Sequence, residues 1–184
     1  MRRLIIIALM LLSAFIFSGC GGGVGAPGSS GSDNTGIVIQ SATLTIGSPD
    51  IDVCGGRESA TLHVSAAPLV SGSTDDPFNG ASIEECTITY KKANEDPGSP
   101  IIETLTIFPN CPLVNGSSSC DVTLIDQARK VKWLNDVNGG VFTPAENPTH
   151  YVAVYNCRYM SSFGKTGGFH AEVDIWLANF SNCQ

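Results

Sequence analysis

The segment from Phe169 to Leu177 constrains this chain more than any other. Phe169, Ala171, Val173, Ile175 and Leu177 fall on one face, and His170, Glu172, Asp174 and Trp176 on the other. A two-residue period is the signature of a strand with one side in a core and the other in water. The period recurs upstream. Residues 41–46 set Ala42, Leu44 and Ile46 against Ser41, Thr43 and Thr45. Residues 59–66 set Ala60, Leu62 and Val64 against Thr61, His63 and Ser65, and residues 85–91 set Cys86, Ile88 and Tyr90 against Glu85, Thr87, Thr89 and Lys91. Residues 120–125 turn Val122 and Leu124 inward, and residues 149–159 make a further strand. In residues 101–108 Glu103 shares a face with Leu105 and Ile107, which suits an edge strand where a charge reaches water. About seven strands and almost no helix predict an all-β chain folded as a two-sheet antiparallel β-sandwich.

Residues 126–147 break the rhythm. Asp126 is placed to cap a short helix through Gln127–Val131, yet Val131 and Trp133 also alternate with Lys130 and Lys132. A helical turn followed by a short strand is the expectation. Gly164, Lys165, Thr166, Gly167 and Gly168 lack the upstream glycine and following helix of a phosphate loop, and read as a hairpin turn.

Ahead of the alternating region lie Arg2 and Arg3, an apolar stretch from Leu4 to Phe17, and then Ser18, Gly19 and Cys20. The apolar stretch has signal-peptide length, too short to span a bilayer comfortably. This arrangement resembles the lipobox of bacterial lipoproteins, with Phe17 where the family usually has Leu. The resemblance implies that residues 1–19 are a signal peptide and that Cys20 is acylated as the first mature residue. Gly21 in place of Asp implies the outer membrane of a Gram-negative envelope. Residues 20–36 are rich in Gly and Ser and read as a flexible tether, with an end-to-end distance on the order of 20–24 Å. Residues 37–184 then form one domain.

The segment Pro148, Thr149, His150, Tyr151, Val152, Ala153, Val154 resembles the start of the sixth strand in fibronectin type III and related immunoglobulin-like domains. That resemblance makes Tyr151 the corner tyrosine, whose hydroxyl bonds back to the backbone.

Loss of Arg2 and Arg3 with the signal takes the formal charge from −7 to −9. An acidic chain lacks the cationic face that nucleic acid or anionic lipid requires. With Cys20 assigned to lipid, six of the seven cysteines remain, and an even number in an exported chain reads as disulfides. Cys111 and Cys120 flank a Pro/Asn/Gly/Ser loop and are placed to staple a turn. Cys86 and Cys157 fall on inward positions of central strands. Cys54 and Cys183 lie near the domain ends and pair by elimination.

His63, His150 and His170 fall on separate strands with outward parity, so no metal site is expected from them. Acidic pairs recur in loops (Asp50 with Asp52, Asp75 with Asp76, Glu84 with Glu85, Glu95 with Asp96) without the cadence of a calcium loop. Asn115 and Asn179 open glycosylation sequons, silent in a bacterial chain. Trp176 and Phe180 on the last strand, with Tyr155 and Tyr159 on the sixth, either form an exposed contact surface or lie beneath residues 126–147 beside Trp133. No catalytic constellation and no cofactor motif is present.

The leading expectation is a non-enzymatic, lipid-anchored envelope protein acting in binding, adhesion or assembly. Its partners would be the membrane, through the lipid, and another envelope protein. The alternative is a carbohydrate-active or carbohydrate-binding module using loop carboxylates and exposed aromatics.

Overall fold

Alternating strands of this number need two sheets facing one another, and that is what the chain builds. The computed structural model describes residues 35–70 and 75–183. In chain order the elements are β1 (Ile37–Ile46), β2 (Asp50–Asp52), β3 (Glu58–Pro68), β4 (Ser82–Lys92), β5 (Leu105–Ile107), β6 (Cys111–Pro112), β7 (Ser117–Ile125), α1 (Gln127–Asn138), β8 (Thr149–Met160) and β9 (Thr166–Ala178). One sheet has the order β1-β3-β7. The other runs β2-β9-β8-β4-β5, with β6 also paired to β4. Every pairing is antiparallel except that of β2 with β9. Leu62, Val64, Val122 and Leu124 of the smaller sheet are buried, as are Ile83, Ile88, Ala153, Ala171 and Ile175 of the larger. Fully burying one such aliphatic side chain contributes roughly 1.5–3 kcal/mol.

Two strands begin earlier than the alternation suggests, for one reason. The register of β1 shifts between Ile39 and Ser41, so its buried residues change from odd (Ile37, Ile39) to even (Ala42). The register of β4 shifts between Ile83 and Glu85 in the same way, ahead of Cys86, Ile88 and Tyr90. A β-bulge inserts one residue and reverses parity, which hides the first part of the strand from a period-two reading. The domain also begins earlier than residue 37: Thr35 is buried, and its hydroxyl lies 3.1 Å from both the Ile37 N–H and the Tyr159 hydroxyl. Residues 1–34, including Cys20, lie outside the described residues.

The expected strand over residues 101–108 shrinks to the three residues of β5. It is an edge strand, as Glu103 suggested, but Glu103 itself precedes it. Its carbonyl is held by the Arg129 guanidinium of α1 at 2.7 Å. A hairpin turn does join β8 to β9, but over residues 161–165, with Ser161 N–H bonded to Lys165 O at 2.8 Å and Gly164 at φ +66°, while Thr166, Gly167 and Gly168, expected in the turn, begin β9.

Residues 126–147 do not form a helical turn and a strand. They form a twelve-residue helix followed by an irregular connection. Asp126 does cap it, its Oδ1 accepting the Arg129 N–H at 2.9 Å. Lys130, Trp133 and Leu134 are buried at helical spacing, whereas Val131 is exposed. The alternation of Val131 and Trp133 is accidental. The inward partner of Trp133 is Lys130, a residue no apolar pattern includes; its ammonium is bound by Gly56 O at 2.7 Å and Glu58 Oε1 at 3.0 Å.

All four tyrosines of the chain are buried. This overturns the expectation that Tyr155 and Tyr159 form a contact surface. Both share the parity of Cys157 and face the core, where a phenol needs a partner for its hydroxyl. Tyr90 and Tyr155 donate across the sandwich to Leu124 O and Thr123 O, at 2.7 and 2.8 Å. Tyr159 donates to Ile37 O at 3.2 Å. Tyr151 donates to the backbone, as its resemblance to a corner tyrosine implied. Its acceptor, however, is Pro100 O at 2.9 Å, fifty-one residues upstream, and not a nearby group. It also accepts the Trp133 indole N–H at 3.0 Å, which ties α1 to β8. Of the β8 tyrosines, it is Tyr151 that Trp133 is bonded to.

The three disulfides join the expected partners. Cys86 and Cys157 are directly opposed in the β4–β8 pair, so this bridge lies within one sheet. The clamp between sheets is Cys111–Cys120, which joins β6 to β7.

Candidate functional site

The two ends of β8 lie at opposite poles of the sandwich. Tyr159, near its end, touches Thr35 and Ile37, where the chain enters the domain. Thr149, its first residue, sits beside the connection after α1 and the segment after β9. The eleven residue-to-residue steps of β8, at about 3.3 Å each, put the poles roughly 36 Å apart.

The α1 pole is assembled from segments distant in sequence. At the helix end Gly139 N–H bonds Asn135 O at 2.8 Å, and Gly140 takes φ +70°. Val141 and Phe142 N–H groups then fold back onto Asp136 O at 3.0 and 3.1 Å. Glycine suits this reversal because φ near +70° costs it nothing sterically. The connection is then fastened to the 93–99 loop. Asp96 accepts the Ala145 N–H at 2.9 Å, the Ser99 hydroxyl at 2.7 Å and the Gly98 N–H at 2.9 Å. These bonds, that from Ala145 foremost, hold the Asp96 carboxyl below the usual carboxylate range. Asn94 donates to Glu146 Oε1 at 2.8 Å. On the other side, Cys54–Cys183 pins the C-terminal segment to the β2–β3 connection. Asn179 braces it, its amide bonded to both N–H and C=O of Cys183 at 2.9 and 3.0 Å.

Two cavities open at this pole, on either side of Glu146 and Thr149. The larger, about 400 Å³, lies between α1, the 139–147 connection and the C-terminal segment. Trp133, Leu134, Val137, Phe142 and Pro144 give it an apolar floor, and Asn138, Asn147 and Asn182 an amide rim. The smaller, about 270 Å³, is lined by Lys92, Asp96, Glu146 and His150. Phe142 borders the first, and the Lys92 ammonium, from the second, lies 5.8 Å from its ring centroid. A third depression, about 500 Å³, is a shallow trough on the outer face of the smaller sheet, lined by five serines together with Thr43, His63, Pro112 and Val114.

No known family, curated protein or solved structure matches this chain.

The outward residues singled out by parity scatter across the larger sheet and its rim. Trp176 is half-buried on the outer face and stacks flat on His150, with ring centroids 4.2 Å apart and planes 9° from parallel. Asp174 holds His150 Nε2 at 2.7 Å. Phe180 is exposed just beyond β9. His63 is on the other sheet, 3.2 Å from Ser119 Oγ, and His170 is exposed on β9. The three histidines do not converge, and no group of three His, Cys, Asp or Glu capable of holding a metal occurs among the described residues.

Asp52, Asp76 and Asp96 brace turns, whereas Glu84 and Glu85, expected in a loop, lie within β4 at its register shift. Asp52 accepts the Ser181 hydroxyl and the Cys54 N–H, which lower its pKa in that order. Asp76 accepts the Phe78 N–H at 2.9 Å. Glu84 and Glu85 face Arg158 at 3.9 and 3.1 Å.

Sequence reasoning missed the α1 pole and its Asn138, Asn147 and Asn182. Asparagine beside glycine and proline reads as turn chemistry, and Asn182 does adopt a positive φ of +51°. Nothing local marks the three as neighbours.

Proposed function

We propose that this chain is a lipid-anchored, non-enzymatic binding module of the bacterial cell envelope that meets its partner with the α1 pole. The observation that carries the reading is the polarity of the domain. The chain enters at the Tyr159 pole, whereas the cavity with the amide rim lies roughly 36 Å away at the other end of β8. A domain held by its N-terminus thereby presents its concave, loop-built end outward. Three disulfides fit an oxidising compartment, which the lipobox-like segment ending at Cys20 also implies. The acidic groups lining this cavity and the adjoining one, Glu146 and Asp96, hold loops together, which favours binding over catalysis.

The test is in living bacteria with the full chain. Alkyne-palmitate labelling should depend on Cys20, and Cys20→Ser should release the protein from the membrane fraction. A photocrosslinking residue at exposed Val141, beside the cavity, should then capture an envelope partner, whereas one at exposed Phe163, near the chain entry, should not. Unchanged fractionation of the Cys20→Ser variant would refute the anchor. Equal capture from both positions would refute the polarity.

A further inference from the structure

We propose that the cavity at the α1 pole binds one ring of a neutral glycan, with an acetamido-bearing hexose as the preferred unit. This rests on the reading of the α1 pole as the binding end.

Size, charge and hydrogen-bonding capacity all point the same way. About 400 Å³ is within the range of small-molecule sites, roughly 300–1,000 Å³. The lining has no cation. Lys92 lies in the adjoining cavity with its ammonium on Asp96 O at 3.0 Å, Lys130 is bound to Glu58, and Lys132 is paired with Asp136 at 2.8 Å. A phosphate or carboxylate ligand would find no countercharge there. Glu146 is the only carboxylate in the lining, and one of its oxygens already accepts from Asn94, so a hard cation would lack the several oxygens it needs. An uncharged ligand remains.

The polar groups of the rim are free to bind one. Asn179 uses both ends of its amide on Cys183, but the side-chain amides of Asn138, Asn147 and Asn182 make no hydrogen bond within the described residues. Each amide offers two donors and an acceptor, the complement of neighbouring sugar hydroxyls or of an acetamido group. Beneath them, Val137, Phe142 and Pro144 provide an apolar surface for the C–H face of a pyranose and for an acetamido methyl. Trp133 contributes apolar area alone, because its indole N–H is taken by Tyr151. A peptide fits less well. Its backbone needs a free strand edge or a groove for a helix, and this cavity is walled by α1, two irregular segments and the first residue of β8.

The experiment is isothermal titration of the full chain, in non-denaturing detergent, with the trimer of N-acetylglucosamine, with cellotriose and with a sialylated trisaccharide. The N-acetylated trimer should bind, cellotriose several-fold more weakly, and the charged sugar more weakly still. Asn138→Ala and Asn182→Gly, the latter keeping the positive φ accessible, should each weaken binding at least tenfold while the far-UV spectrum and Tm stay unchanged. No heat with any sugar up to about 10 mM would overturn the ligand class. Tight binding that ignores both asparagine variants, or that vanishes in Trp176→Ala, would overturn the location. If the sugars fail but Val141 still crosslinks a partner in cells, the ligand class falls and the binding pole stands. If both fail, both readings fall.

Discussion

Raising the pH tests the architecture of the core directly, because every tyrosine of the chain is inside it. In each case burial is the main cause that pushes the phenol pKa above 10: to about 12 for Tyr151, and upward for Tyr90, Tyr155 and Tyr159. A group whose folded pKa is raised contributes stability that is whole below its unfolded value and is lost as the pH climbs through the folded one. The window therefore opens near pH 10. At pH 11 each unfolded phenol gains about 1.4 kcal/mol from ionising, so Tyr90, Tyr151 and Tyr155 together draw about 4 kcal/mol away from the folded state; at pH 12 the figure is about 8 kcal/mol, and the raised pKa of Tyr159 acts in the same direction. Domains of this size are stable by roughly 5–15 kcal/mol, so cooperative unfolding sets in from between about pH 11 and 12 upward. The assay is tyrosinate absorbance at 295 nm beside far-UV circular dichroism. At about pH 10.5, where most tyrosines of an unfolded chain are ionised, native protein should show almost no tyrosinate. The absorbance should then rise together with loss of the β-sheet signal. Two or more tyrosines ionising near pH 10 with the spectrum still native would refute the buried arrangement, and with it the cross-sandwich bonds of Tyr90 and Tyr155.

Three further perturbations separate the other forces. At Lys130 the two halves of the ion pair should be unequal, since the ammonium is fully buried while Glu58 is 38 % exposed. Lys130→Met should cost under about 1.5 kcal/mol in urea denaturation, but Glu58→Leu, which strands the buried charge, about 3 kcal/mol or more; equal losses would contradict this. Loop closure predicts that Cys54→Ala/Cys183→Ala, with a separation of 129 residues, costs about 5 kcal/mol. Cys111→Ala/Cys120→Ala, with a separation of 9, should cost about 3 kcal/mol, and a reversed order in thermal unfolding would show that the inter-sheet clamp acts in the native state. Asp126→Ala removes the cap of α1 and should lower stability by about 1 kcal/mol; no change in Tm would mean that tertiary contacts alone hold the helix.

Much of this fold was legible because the pleat is a local property. Ala60, Leu62 and Val64, or Phe169, Ala171 and Ile175, are buried as their spacing says, since a strand in any sheet alternates its faces. One cysteine pair followed from the same logic: Cys86 and Cys157 are inward on central strands and meet across the ladder, whereas Cys111–Cys120 was read from the loop between them and Cys54–Cys183 by elimination. Reading failed where a distant segment changed the local rule. The bulges in β1 and β4 reverse parity, and each is visible only against a neighbouring strand. Residues 127–138 carried two weak patterns, and the choice fell to helix because Trp133 finds Tyr151 and Lys130 finds Gly56 and Glu58. Tyr155 and Tyr159 looked suited to a surface, yet carbonyls at Thr123 and Ile37 satisfy their hydroxyls inside.

By itself, then, the sequence determined that the chain is all-β, which residues face inward along β3 and β9, and that Cys86 and Cys157 share the inward face of central strands. These depend on a period of two and on chain order. The tertiary structure alone decided where the strands begin, that residues 127–138 are a helix, and that Asn138, Asn147 and Asn182 share one cavity at the pole farthest from the chain entry. The physical reason is that each of these outcomes is set by hydrogen bonds and packing between residues far apart in the chain, which no local pattern records.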